Sequence, residues 1–125
     1  MDENKELSQK LEIIVKTLDK NKAEDISVLS IANISPIADY FIIANGTNDK
    51  QLQALVREVR DKLFEAGYEE KRIEGVRGSS WVLMDYDDIV IHLFSKEDRL
   101  FYDLERIWRD GQKVDISNML IDEAN

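Results

Sequence analysis

The 125-residue sequence contains no cysteine. That absence excludes structural disulfides, thiolate zinc sites and cysteine nucleophiles, and it fits a reducing compartment. Long apolar runs are also missing, since no stretch approaches the roughly 20 residues that a membrane span requires. The first ten residues are acidic and polar, unlike a secretory signal. We therefore expect a cytoplasmic protein that makes no contact with a membrane.

Basic residues are outnumbered, because 17 lysines and arginines stand against 26 aspartates and glutamates. The resulting formal net charge of −9 repels phosphate backbones, so we expect little direct contact with RNA. A basic protein is a better electrostatic partner. Hydrophobic residues make up 43% of the chain and charged residues 34%, a balance that predicts one folded globular domain.

The spacing of apolar residues predicts an alternation of helices and strands. A continuous apolar run at 40–44 indicates a central strand covered on both faces. Thr47, Asn48 and Asp49 are all plausible N-caps for the helix that follows, and Gly67 is a natural stop for it. The other predicted elements are a helix over 4–20, a strand over 26–32, a short strand over 72–75, a hairpin of 81–85 with 89–94, and a helix from Ser95 to Trp108.

The predicted order of elements is α-β-β-α-β-β-β-α. A helix separates the second and third strands, which permits a parallel pair, whereas the hairpin is antiparallel. The economical fold is a single α/β domain with a mixed sheet of about five strands and helices packed on it. We place this domain at residues 1–110 and expect residues 111–125 to form a C-terminal tail that is partly ordered at most.

Residues 81–108 contain both tryptophans and the single histidine, and aromatic side chains of this kind anchor cores and interfaces. Trp108 lies on the apolar stripe of the last helix and is predicted to be core. Strand alternation puts Trp81, Leu83 and Asp85 on one face, and the aspartate indicates that this face is not wholly interior. Two interpretations stay open: a binding hot spot, or a second core wall covered by a helix.

Three further features have chemical interpretations, and in each the simpler interpretation is favoured. No nucleophile or acid stands at a sequence spacing from His92 that would indicate a catalytic pair, which favours a structural or interface histidine over a catalytic one. Asp85, Asp87 and Asp88 could hold magnesium, but turns favour aspartate without any metal. The Gly46-Thr47 pair lacks the spacing of a phosphate loop, so the start of a helix explains it. We predict no catalytic, cofactor or metal site.

Taken together, six segments resemble the Iojap-related ribosomal silencing factor family. Their order and spacing are specific, although no single one is decisive. The segments are 38–44 (ADYFIIA), 46–47 (GT), 73–75 (IEG), 81–86 (WVLMDY), 90–94 (VIHLF) and 101–108 (FYDLERIW). One departure is Asp87, because many relatives have glycine in this hairpin turn, and a two-residue primed turn without glycine is strained.

The resemblance implies a mixed-sheet α/β domain with a nucleotidyltransferase-like topology and no enzymatic activity. It also implies a translational repressor that binds the large ribosomal subunit through the basic ribosomal protein numbered fourteen. Bound there, such a protein sterically blocks the small subunit from joining. Residues of the implied partner-binding surface are Trp81, Leu83, Asp85 and Tyr86. Family positions that the resemblance leaves undivided between core and interface are Asp39, Tyr40, Thr47, His92 and Tyr102.

Two other classes of function remain as alternatives. A metal-dependent nucleotidyltransferase would use Asp85, Asp87 and Asp88, but Gly46-Thr47 lies a whole helix and strand before them. A homo-oligomeric adaptor would use its free sheet surface, and its mass would depend on concentration. A homodimer off the ribosome is also compatible with the first interpretation.

Overall fold

The computed structural model describes residues 2–32, 36, 38–75, 80–96 and 112–121. The elements, in chain order, are α1 (Asp2–Lys20), β1 (Glu24–Ser30), β2 (Tyr40–Gly46), α2 (Asp49–Glu65), β3 (Arg72–Glu74), β4 (Trp81–Asp85), β5 (Ile89–Ser95), β6 (Gln112–Lys113) and α3 (Ser117–Ile121). Residues 97–108 of the helix predicted from Ser95 to Trp108, and with them the core position of Trp108, lie outside the described residues, and Ser95 itself ends β5. None of the helices described here is long and apolar enough to cross a membrane.

The six described strands form one mixed sheet in the order β3-β4-β5-β2-β1-β6. β2 and β5 are parallel neighbours at its centre, with Tyr40 opposite Ile89 and Gly46 opposite Ser95. The other neighbouring pairs are antiparallel. The prediction of one α/β domain with a mixed sheet is confirmed, but the sheet has six strands where about five were expected. The additional strand, β6, comes from the segment predicted to be a tail.

Each face of the sheet carries its own apolar cluster. On the first, which we call the helix face, Ile42, Met84 and Ile91 are buried beneath α1 and α2. On the opposite face, which we call the aromatic face, Phe41 and Phe94 are buried beside His92. β2 is buried on both sides, as its continuous apolar run predicted.

Residues 112–121 pack onto the domain. β6 pairs with the edge of β1, placing Lys113 opposite Leu29, and the Val114 N–H donates to the Val28 carbonyl at 2.8 Å. Beyond it, Met119 and Leu120 of α3 are partly buried against the helix-face core. The segment predicted as a tail therefore contributes a strand to the sheet and a short docked helix.

The start of α2 is fixed by side-chain hydrogen bonds. The Oδ1 atom of Asn48 accepts from the Gln51 N–H at 2.9 Å, which selects Asn48 from the three predicted caps. The Oε1 atom of Gln51 in turn accepts from the N–H and the hydroxyl of Thr47, both at 2.6 Å. The Thr47 N–H is therefore hydrogen-bonded within the cap, which agrees with the interpretation of Gly46-Thr47 as the start of a helix. At the other end Gly67 adopts a φ of +95°, which confirms its predicted role as the stop.

We expect Asn48→Ala to lower the free energy of unfolding by about 1 kcal/mol, because the Gln51 N–H loses its acceptor. Urea unfolding followed by circular dichroism measures the change. Gln53→Ala, at an exposed position of the same helix, is the matched control and should change stability by less than about 0.5 kcal/mol. Equal unfolding midpoints for the two variants would contradict the assigned cap.

Candidate functional site

β4 divides its side chains between the two faces of the sheet. Val82 and Met84 are buried on the helix face, whereas Trp81, Leu83 and Asp85 are half-buried on the aromatic face. The predicted sharing of one face by these three residues is confirmed. We call Trp81, Leu83 and Asp85 the β4 strip.

The indole of Trp81 is held by two residues of the neighbouring strand. Its Nε1–H donates to Nδ1 of His92 at 3.3 Å. Its ring stacks on Phe94, which lies directly opposite in the β4–β5 register, with centroids 5.2 Å apart and planes inclined by 22°. The indole therefore presents part of its surface outward while its orientation is fixed from below.

His92 is a buried histidine with aromatic neighbours. It is only 6% exposed, and the edge of its ring meets Phe41 at a centroid distance of 4.9 Å. Burial lowers its pKa from 6.5 to about 4, so the ring is neutral at pH 7. Because Nδ1 accepts the hydrogen bond from Trp81, the proton must sit on Nε2. That atom is buried and has no hydrogen-bond partner among the described residues.

An open groove of about 190 Å³ adjoins the β4 strip and is lined by Glu74, Gly75, Trp81 and Leu83. The surface around it mixes apolar and acidic groups. Glu74 belongs to β3, the last strand on this side of the sheet, and its side chain is well exposed. At the other end of the strip, Asp85 forms an ion pair of 3.5 Å with Arg72, whose guanidinium also lies 3.8 Å from the Glu74 carboxylate. An apolar centre with carboxylates at its rim suits recognition of another protein more than chemistry on a small molecule.

Tyr86 does not belong to this surface, and the expectation that it is exposed beside Trp81 is wrong. It is only 3% exposed and packs in the helix-face core. The reason is the alternation itself, because position 86 has the parity of Val82 and Met84, not that of the β4 strip. Burial, reinforced by the nearby Glu70 carboxylate, raises the pKa of its phenol far above the ordinary value.

The three aspartates of the hairpin act as turn residues. Oδ1 of Asp85 accepts from the Asp87 N–H at 2.9 Å, an Asx turn that stabilises the positive φ of +71° at Asp87. Asparagine and aspartate tolerate that conformation better than other non-glycine residues, which explains how this turn forms without glycine. The turn interpretation is confirmed.

Each of these carboxylates also pairs with a different cation, and Asp85 pairs with Arg72. Asp87 lies 3.4 Å from Lys71, and Asp88 accepts from Nζ of Lys10 at 2.6 Å. No group of three or more histidine, aspartate or glutamate side chains within the described ranges is arranged to hold a metal ion.

Five family positions were left undivided between core and interface, and most of them have structural contacts. The N–H groups of Asp39 and Tyr40 both donate to the Asp88 carbonyl, at 2.8 and 3.1 Å, which ties the start of β2 to the hairpin turn. Thr47 belongs to the α2 cap and His92 to the buried aromatic face. Tyr102 lies outside the described residues.

The sequence reasoning missed two features of the surface. The contact between Trp81 and His92 joins diagonal neighbours on adjacent strands, so only the strand register could have indicated it. Phe64 on α2 is 63% exposed, although it directly follows Leu63 of the buried stripe in the sequence. A helical projection would have placed it outside the stripe.

Comparison with known proteins identifies the family. Residues 4–125 match the family described as "Ribosomal silencing factor during starvation". The chain is 42% identical to ribosomal silencing factor RsfS of Bacillus subtilis over 106 residues, 85% of this chain and 90% of that protein. It is 39% identical to RsfS of Halalkalibacterium halodurans over 110 residues, covering 88% and 94% of the two chains.

The solved structures agree with the sequence comparison. A crystal structure of a Chromobacterium violaceum protein superposes with a TM-score of 0.79 at 31% identity, over 88% of this chain and 91% of that one. The chain therefore belongs to the ribosomal silencing factor family, and the resemblance drawn from the six segments is confirmed.

Proposed function

We propose that this protein binds the large ribosomal subunit and represses translation by keeping the small subunit from joining. The direct partner in this proposal is the basic ribosomal protein numbered fourteen, and the block is steric and reversible, with no reaction catalysed. Family membership supports a ribosome-associated role in the cytoplasm. The observation that carries the proposal is the β4 strip, a half-buried apolar surface with an acidic rim on a protein of net charge −9.

Within this surface the residues have different roles. Trp81 is the anchor, because a large aromatic held in one orientation buries much area at little cost in conformational entropy. Leu83 extends the apolar contact along the strand. Asp85 and Glu74 supply negative charge at the rim, where charges speed association with a basic partner and fix its register. Tyr86, being buried, supports the turn and is not included among the contact residues.

A nucleotidyltransferase activity gains no support from the geometry. The carboxylates that it would use, Asp85, Asp87 and Asp88, point to three separate cations. A nucleotidyltransferase-like topology stays an implication of the family resemblance. We therefore propose a binding protein and no enzyme.

Off the ribosome the same half-buried strip can bind a second copy of the chain, and we propose a homodimer in that state. The dimer and the ribosome complex would then compete for one surface. Sedimentation velocity over a range of protein concentrations measures the dimer directly.

Sedimentation with purified ribosomal subunits tests the proposed function. We expect the protein to pellet with large subunits and not with small ones, and small subunits added afterwards should fail to join the loaded large subunits. Binding should weaken as salt rises, because the acidic rim contributes through screened charges. Pelleting with small subunits alone would overturn the proposal, as would unimpaired subunit joining at saturation.

A further inference from the structure

We propose that His92 is a positioning residue, which fixes the Trp81 indole in the orientation that the partner meets. The inference rests on the proposed function of the β4 strip and assigns a role within it to a residue that is itself buried. Its ground is a single side-chain contact, the 3.3 Å hydrogen bond from Nε1 of Trp81 to Nδ1 of His92.

The strand register makes this contact possible. In the β4–β5 pair, Trp81 lies opposite Phe94 and Leu83 lies opposite His92, so Trp81 and His92 are diagonal neighbours on the aromatic face. Diagonal neighbours are within reach of aromatic side chains. Stacking on Phe94 fixes the plane of the indole, with ring planes inclined by 22°. The hydrogen bond fixes the rotation within that plane, which stacking alone leaves free.

Packing does not explain why a histidine occupies this site. The residue is 6% exposed and its described ring neighbours are Phe41, Trp81 and Phe94, so leucine or phenylalanine would suit the surroundings. Histidine instead leaves its Nε2–H buried with no partner among the described residues, an arrangement that costs free energy. What histidine adds is an acceptor at Nδ1, and the indole N–H uses it.

Pre-orientation of this kind strengthens binding without any new contact to the partner. A half-buried indole whose orientation is not fixed must be ordered when the partner docks, at a cost of about 0.5–1.5 kcal/mol for one side chain. That cost corresponds to about a two- to thirteenfold rise in Kd. His92 removes the cost in advance, although it lies beneath the surface.

A matched pair of substitutions separates the acceptor from the volume. His92→Leu and His92→Asn both replace the ring by a side chain branched at Cγ, but only asparagine keeps an acceptor close to the position of Nδ1. The first readout is the hydrogen-exchange rate of the Trp81 indole N–H by NMR. Its resonance is distinguished from that of Trp108 by comparison with Trp81→Phe.

We expect faster exchange of the indole proton in His92→Leu, about tenfold or more, and slower, near-native exchange in His92→Asn. The second readout is Kd for the large subunit, which should rise about two- to thirteenfold in His92→Leu and recover in His92→Asn. Unchanged indole exchange in His92→Leu would overturn the proposal. Faster exchange with an unchanged Kd would also overturn it, since the orientation would then be irrelevant to docking.

A further test uses only the wild-type protein, so it does not depend on whether either variant folds. A scalar coupling between the indole nitrogen of Trp81 and Nδ1 of His92, measured in uniformly 15N-labelled protein, reports the hydrogen bond directly. Absence of that coupling, with an Nδ1 shift typical of a protonated nitrogen, would overturn the assignment. If the wild type shows the coupling but does not bind large subunits, the proposed function fails while the contact between the two residues stands.

Discussion

Trp81→Ala is expected to weaken binding to the large ribosomal subunit by about 2 kcal/mol, a rise in Kd of roughly 30-fold. Alanine removes the largest apolar surface of the β4 strip and leaves Leu83 and the acidic rim in place. The measurement is co-sedimentation of the purified variant with large subunits over a range of concentrations. A variant that pellets as well as wild type would contradict the assignment of this surface.

The fold should survive this substitution. Trp81 is half-buried on the aromatic face, and the helix-face core beneath α1 and α2 contains none of its atoms. The folded state loses the stacking on Phe94 and the donor to His92, so a lower melting temperature is expected without loss of secondary structure. Trp81→Phe keeps a ring on Phe94 and lacks only the indole N–H and part of the area, and its Kd should fall between those of wild type and Trp81→Ala.

Phe64→Ala is the matched control. Phe64 is another large aromatic at the surface, 63% exposed, but it belongs to α2 on the opposite side of the sheet. We expect no change in Kd for this variant, because its side chain lies away from the β4 strip. Loss of binding in Phe64→Ala together with normal binding in Trp81→Ala would move the interface to α2.

Local patterns in the sequence were enough to define most elements and their faces. The apolar run of β2 predicted a strand buried on both sides, and the parity of Trp81, Leu83 and Asp85 predicted their common face. The prediction that fails is Tyr86, which the family resemblance, and not strand alternation, assigns to the same surface as Trp81. Its even parity with Val82 and Met84 correctly indicates burial.

Long-range pairings could not be predicted from one sequence. The separation of β2 from β3 by a helix permitted a parallel pair, but the parallel neighbour of β2 is β5, 49 residues further along in register (Tyr40 opposite Ile89). The ion pair of Lys10 with Asp88 joins residues 78 apart, and β6 adds to β1 from the C-terminal side. Such contacts depend on how the whole sheet assembles, and the periodicity of apolar residues does not indicate which strands become neighbours.

The second large effect concerns stability at acid pH. Folding lowers the pKa of His92 from 6.5 to about 4 because the ring is buried away from water. Between those values the unfolded chain binds a proton at this histidine and the folded chain does not, so the free energy of unfolding falls as pH falls. The contribution of His92 is fully present above pH 6.5 and is lost towards pH 4, by about 3 kcal/mol in total.

Urea unfolding at several values between pH 7 and pH 4 measures this loss. Carboxylates titrate in the same range, so the informative quantity is the difference between wild type and His92→Leu, which has no proton to bind at this position. The wild type should lose more stability than the variant as pH falls, with the excess confined to the window between pH 6.5 and pH 4. Parallel curves for the two proteins would mean that His92 is protonated as easily in the folded state as in the unfolded one. A protonated Nδ1 cannot accept from the Trp81 indole, so the hydrogen bond that orients the proposed anchor would then be lost as pH falls below about 6.5.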